Sequence, residues 1–154
     1  MTGGAGTKLI AENRRARHDY EFLERVEVGI VLTGTEVKSL RDGKAQLAGA
    51  YADIRGGEAW LVGASIAEYP GASRQNHTPE RERKLLLHRR ELDTLASKVN
   101  EKGLTLVPTR LYFKEGRVKL ELALARGREK GDKRRVLADR DAQRQMERAL
   151  RRRR

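Results

Sequence analysis

Between Asn13 and Tyr20 the chain reads Asn-Arg-Arg-Ala-Arg-His-Asp-Tyr. A guanidinium can grip a phosphate through two parallel N–H bonds, and Tyr20 or His18 can stack on a base. These residue types therefore suit a nucleic acid. On composition alone the run serves equally well as a basic approach to a first strand, with Tyr20 in the core. A second cationic feature lies at the other end. Residues 126–154 hold 13 Lys and Arg against 5 Asp and Glu, a net +8, whereas residues 1–125 hold 21 against 17, a net +4. An Arg-rich surface also suits a heat-tolerant protein or a GC-rich coding bias, but neither explains why the excess gathers at one end. Each phosphate neutralised by Lys or Arg releases a condensed counterion, so the asymmetry points to a polyanionic partner.

Other chemistries find no support. His18, His77 and His88 have no metal-ligand spacing with one another, and Glu80, Glu82 and Glu91 sit among basic residues, which reads as ion-paired surface. Gly3-Gly4-Ala5-Gly6 lacks the preceding strand and the lysine of a phosphate loop. Cysteine is absent, which excludes disulfides, zinc ribbons and thiol catalysis and fits a reducing cytoplasm. No stretch approaches the roughly 20 apolar residues of a membrane span. We therefore expect no enzyme, no metal and no cofactor.

The elements that must position the basic residues are mostly strands. Tyr20, Phe22, Val26, Val28, Ile30 and Leu32 occupy even positions, the period-2 signature of a strand, or of two broken near Glu24-Arg25, with Glu21, Arg25 and Glu27 on the other face. Thr35 to Arg41 reads as a short helix with Val37 and Leu40 inward, stopped by Gly43. Tyr51–Ile54 and Ala59–Val62 flank a Gly-Gly turn. Residues 69–78 read as loop. Thr78-Pro79-Glu80 has the form of a helix start, which makes Arg81 to Lys84 a solvated helical face. A helix follows over His88–Lys102, with Leu92, Leu95, Ala96 and Val99 on one side and Gly103 as its stop. Thr105–Phe113 and Val118–Ala125 form a second hairpin that turns Lys119 and Glu121 outward. About six strands joined by turns, with a few short helices, predict a mainly β small antiparallel barrel. The chain divides into a flexible leader (1–8), this barrel (9–125) and a basic tail (126–154). In the tail Arg140, Arg144, Arg148 and Arg151 share one side of a helical wheel, opposite Ala138, Ala142, Met146, Ala149 and Leu150. Like charges at i,i+4 oppose a helix, so the tail is expected to be disordered alone and helical on RNA.

The runs Ala11–Tyr20, Gly34–Arg41, Arg83–Leu87, Leu111–Lys114 and Asp132-Lys133-Arg134 closely resemble, in order, the small protein B family, the SsrA-binding proteins of bacteria. The resemblance spans about Lys8 to the C-terminus. It implies an oligonucleotide/oligosaccharide-binding (OB)-type barrel that binds the tRNA-like domain of transfer-messenger RNA. Such a barrel delivers that RNA to the empty A site of stalled ribosomes for trans-translation, a positioning role without catalysis. Carried over by motif, Asn13, Tyr20, Glu27, Leu86 and Lys119 join the RNA-binding surface, with Arg17, His18 and Lys84 as neighbours. Lys119 would meet phosphate, while Glu27 would accept from a ribose 2′-OH or a base amine. Leu86 rests on the resemblance alone, since a leucine in a triple-Leu run is usually core. Gly127, Asp132, Lys133 and Arg134 match the segment that the family places in the decoding centre and mRNA path of the small subunit, with the arginine stripe against ribosomal RNA. Gly131 stands where relatives commonly carry a stacking residue. The expected protein is a monomer; the alternative is a general structured-RNA or ribosomal-RNA assembly protein.

Overall fold

The computed structural model describes residues 6–72, 75–128 and 141–151. Its elements run β1 (Thr7–Glu12), α1 (Arg14–Asp19), β2 (Tyr20–Ile30), α2 (Gly34–Arg41), β3 (Ala45–Gln46), β4 (Tyr51–Arg55), β5 (Glu58–Val62), β6 (Ser65–Ile66), β7 (Arg83–Leu86), α3 (Arg89–Lys102), β8 (Thr105–Lys114) and β9 (Arg117–Gly127). Residues 141–151 form a further helix, α4. The strands β8-β4-β5-β7-β2-β9 pair in turn and close on themselves through β9–β8, a six-stranded antiparallel ring; β1 adds to the free edge of β8. A closed ring leaves few unpaired edges. β3 and β6 form a separate two-residue ladder. β1 starts inside the stretch read as leader, at Thr7.

Alternation fills the barrel. Val28, Leu61, Leu85, Leu106, Leu111, Leu120 and Leu122 are each at most 2% exposed and point inward, joined by Leu92 and Leu95 of α3. The α3 helix ends as expected, with Gly103 left-handed and its N–H donating to Val99 O. The β8–β9 hairpin turns at Glu115 (φ 52°) and Gly116 (φ 79°), the paired positive angles that match the twist of the flanking strands.

The even-position pattern of β2 does not hold along its whole length. A bulge between Phe22 and Glu24 adds one residue, and one residue reverses every side chain beyond it. Val26 and Val28 therefore face the barrel, whereas Tyr20 and Phe22 pack outside it with Ala16, Val107, Ala123 and Ala125. This outer cluster seats α1, whose Ala16 is buried against the sheet.

No helix forms at Thr78. Residues 79–80 are a turn, and Arg81 to Lys84 run extended into β7. Arg83, expected on a solvated face, is fully buried. Its Nε donates to Glu36 Oε2 at 2.5 Å, Nη1 to Ala64 O, and Nη2 to Thr78 O and Pro79 O. A helix would have turned those carbonyls away. Glu36 is itself fully buried. It also accepts from Arg81 Nη2 at 2.6 Å and, as part of a capping box, from the Thr33 N–H at 2.8 Å. Burial raises the Glu36 pKa, but the hydrogen bonds from Arg81, Thr33 and Arg83 outweigh it and hold the carboxyl at about 2. Burial lowers that of Arg83 despite its contacts with Glu36.

Of the basic tail the described residues are 126–128 and 141–151. In α4, Arg144–Asp141 (3.8 Å) and Arg151–Glu147 (3.9 Å) place acids beside the arginine stripe. The sequence reading weighed the like charges and not these opposite pairs. No helix of the described residues is long and apolar enough to cross a membrane.

A folded pKa of about 2 against an ordinary 4.5 means that the Glu36 contribution is complete above about pH 4.5 and drains away as pH falls through 2. Glu36→Gln is expected to lose about 3–5 kcal/mol at neutral pH, because it strands a buried guanidinium. The gap to wild type should close between about pH 4.5 and 2 in urea titrations followed by circular dichroism. A constant gap across that window would refute this account.

Candidate nucleic-acid interface

Register places a row of side chains on the outer face of the barrel. Leu86 of β7 opposes Gly29 of β2, Gly29 opposes Lys119 of β9, Lys119 opposes Tyr112 of β8, and Tyr112 opposes Leu9 of β1. Two residues along, Glu27, Glu121, Arg110 and Glu12 make a parallel row. Inward partners such as Val28, Leu120 and Leu111 fix this outward phase.

Leu85 is buried while Leu86 is 50% exposed, so strand alternation splits the leucine run that otherwise reads as core. A Cβ on Gly29 would sit 3.2 Å from Leu86 Cβ; glycine leaves the space over which Leu86 leans. Lys84 also points outward and binds Glu58 Oε1 at 3.1 Å. Lys84, Leu86 and Arg89 rim a shallow hollow of about 290 Å³, with Leu85 and Leu92 among its lining residues.

Glu27 is held rather than free. Tyr112 Oη donates to its Oε2 at 2.5 Å, and Lys114 Nζ approaches Oε1 at 3.3 Å. The Tyr112 hydrogen bond is the largest cause of a lowered Glu27 pKa. Desolvation works against it, and Lys114 and Lys119 add to it. Burial and the same hydrogen bond push the Tyr112 phenol up, so it stays a donor. Glu121, directly opposite, takes a bond from Thr109 Oγ1 at 2.6 Å. The two carboxylates thus have separate donors. Lys119 makes no ion pair among the described residues, which leaves its ammonium available to an external anion.

The second group gathers on α1, roughly 20 Å along β2 at about 3.3 Å per residue. Asn13 is only 5% exposed. Its Nδ2 donates to Leu47 O (3.3 Å) and Pro108 O (2.8 Å), and its Oδ1 accepts from the Ala16 N–H (3.2 Å). Both donors are committed inside the protein, so Asn13 positions α1. Arg17 is exposed and pairs with Glu12 at 3.5 Å. His18 Nδ1 donates to Asp19 Oδ1 at 3.0 Å. Tyr20 is half-buried at the foot of the helix.

The tail residues fall into three sets. Gly127 belongs to β9, opposite Tyr20. Asp132, Lys133, Arg134 and Arg140 lie outside the described residues. Arg144 and Arg148 are exposed on α4, as are Met146 and Leu150. Among the described residues, no group of three or more His, Asp or Glu could hold a metal. Tyr112 and Gly29 escaped the sequence reading. Tyr112 was visible as the outward member of the Leu111-Tyr112-Phe113 alternation; Gly29 had no local signal.

A closed antiparallel ring with a half-buried aromatic, a leaning leucine and an unpaired lysine across four strands defines an OB-type barrel with a mixed cationic and apolar outer face. The model of the SmpB protein family matches residues 10–152. The chain belongs to that family. It is 57% identical over 151 residues to the SsrA-binding protein of Thermobifida fusca (strain YX), covering 98% of this chain and 94% of the relative. It is 55% identical over 148 residues to that of Mycobacterium tuberculosis (strain ATCC 25177 / H37Ra), covering 96% and 92%. A solved chain from "tmRNA-SmpB: a journey to the center of the bacterial ribosome" superposes with a TM-score of 0.66 at 53% identity, covering 82% of this chain and 87% of that one.

Two outcomes test the site. In Tyr112→Phe the Glu27 pKa should rise toward its ordinary value, read by carboxyl NMR titration; an unmoved pKa would mean that Tyr112 does not hold it. Asn13→Ala should cost about 2–4 kcal/mol, through a lost cap and two unsatisfied carbonyls. Denaturation at constant pH measures it, and a loss below about 0.5 kcal/mol would assign Asn13 a contact role instead.

Proposed function

We propose that this chain binds the tRNA-like domain of transfer-messenger RNA and escorts it to the empty A site of a stalled ribosome. It positions RNA and makes or breaks no bond itself. In this reading it works in the cytoplasm as a monomer, and residues beyond Arg128 engage the decoding region and mRNA path. The reading rests on the outward-facing row Leu86–Gly29–Lys119–Tyr112, in a chain whose relatives are named SsrA-binding proteins.

Each residue of the row suits a different part of an RNA. Lys119 meets a phosphate as a compact, unpaired charge. Glu27, ionised and acceptor-only, suits a ribose 2′-OH or a base amine, the first of which distinguishes RNA from DNA. Leu86 offers an apolar face to a sugar or base. Arg14, Arg15 and Arg17 extend the cationic surface across α1, while Asn13 supports the helix from below. The tail adds charge that attracts any polyanion.

The test titrates the tRNA-like half of transfer-messenger RNA beside an elongator tRNA and a plain duplex, each at about 50 and 200 mM salt. The first should win by a margin that persists at high salt. Lys119→Ala should weaken binding and lower the salt slope by about one. Equal affinity for all three RNAs, collapsing together with salt, would instead indicate a general RNA binder. Truncation must follow Arg128, because Arg126 and Gly127 pair with β2 and the Arg128 N–H donates to Asp19 O at 2.9 Å. That truncation should spare RNA affinity and abolish tagging of stalled products; lost affinity would overturn the division of labour.

A further inference from the structure

A cleft opens on the outer face where β8 changes neighbours. β4 pairs with β8 at Leu106, β1 pairs with it from Arg110 to Lys114, and α1 crosses the gap between them. The cleft holds about 260 Å³, slightly below the roughly 300 Å³ at which pockets for drug-sized molecules begin. That is room for one ring system rather than a whole nucleotide. Its lining includes Tyr20 and Tyr51, with the small residues Ala16 and Ala50 and with Arg15 at the helix.

We propose that this cleft receives one unstacked nucleobase, with Tyr20 and Tyr51 as its stacking surfaces and Arg15 beside the adjoining phosphate. The proposal rests on the RNA-binding reading above and gives it a base subsite. Three observations carry it. Tyr51 is 43% exposed, Tyr20 is half-buried with one side packed on the Ala16–Val107 cluster, and neither tyrosine hydroxyl makes a hydrogen bond among the described residues. The cleft is preformed: Asn13 ties α1 to the carbonyls of Leu47 and Pro108, and the Ala50 N–H closes a turn on Leu47 O at 3.0 Å, directly before Tyr51. Ala16 and Ala50, also in the lining, are small side chains. The exposed Arg14 and Arg15 stand on the helix that forms one wall, paired at the surface with Glu12 (4.0 Å) and with Asp19 (3.4 Å), which also lines the cleft; a phosphate can take the place of either carboxylate. Polyanion attraction and aromatic stacking together characterise binding of unpaired nucleotides.

The experiment compares wild type, Tyr51→Ala and Tyr51→Phe against the tRNA-like fragment of transfer-messenger RNA. It reads affinity at two salt concentrations and the chemical reactivity of each unpaired base. Losing one stacked base should weaken Tyr51→Ala about tenfold, leave the salt slope unchanged, and expose one base that wild type protects. Tyr51→Phe keeps the ring and should bind within about twofold of wild type. Because Tyr51 is exposed, neither variant should shift the melting temperature. If wild type prefers this RNA but Tyr51→Ala binds equally well, or Tyr51→Phe fails as badly as Tyr51→Ala, the base cleft is overturned and the proposed function stands. If wild type shows no preference, both readings fall together.

Discussion

The buried Glu36–Arg83 pair is the constraint on which the RNA-facing surface depends. Two full charges inside a barrel are costly unless every donor and acceptor is matched. Here Glu36 takes bonds from Arg81, Arg83 and Thr33, while Arg83 also reaches the carbonyls of Ala64, Thr78 and Pro79. Those contacts join α2, the start of β6 and the loop ahead of β7. They also set the phase of β7, a strand of four residues with only three register pairs to β5 and two to β2. Arg83 and Leu85 must face inward, so Lys84 and Leu86 must face out. A slip of one residue would bury the lysine and withdraw the leucine from the surface.

The outer face uses charge with similar economy. Glu27 and Glu121 are direct cross-strand neighbours, an arrangement that repels unless each carboxylate has donors of its own. Tyr112 and Lys114 supply them on one side, and Thr109 on the other. The basic residues of β8 are therefore largely occupied with neutralising acids, and Lys119 of β9 has no ion pair among the described residues. A high count of surface cations is thus a poor guide to which of them meets RNA.

This explains which parts of the molecule the sequence disclosed. Alternation from Val26 to Ile30 and from Val118 to Leu124 correctly turned Glu27 and Lys119 outward. The two hairpins and α3 followed from their glycines and apolar periodicity. The reading broke down wherever a distant partner reversed a local preference. Tyr20 and Phe22 continued the even pattern in sequence, but the bulge at Leu23 moved them outside the barrel. Arg83 belonged to a charged run, and only Glu36, 47 residues earlier, made its burial affordable. Leu86 and Asn13 are marked as RNA-binding by family resemblance rather than by local pattern. Their settings differ: Leu86 is 50% exposed, whereas Asn13 is buried with its amide bonded to Leu47 O, Pro108 O and the Ala16 N–H.

The same geometry bounds what the tail can contribute. β9 runs to Gly127 opposite Tyr20, and the next N–H, that of Arg128, is donated to Asp19 O. The chain therefore leaves the barrel beside α1, at the end of the face that carries Arg14, Arg15 and Arg17. Both cationic segments start from one place, so their fields add there and attract a polyanion toward the Tyr20–Tyr51 cleft. Such attraction raises encounter rates with any RNA and falls with salt. Discrimination requires groups held in fixed geometry, and the outward row from Leu86 to Tyr112 and the proposed tyrosine cleft are both anchored by the barrel's register and hydrogen bonds.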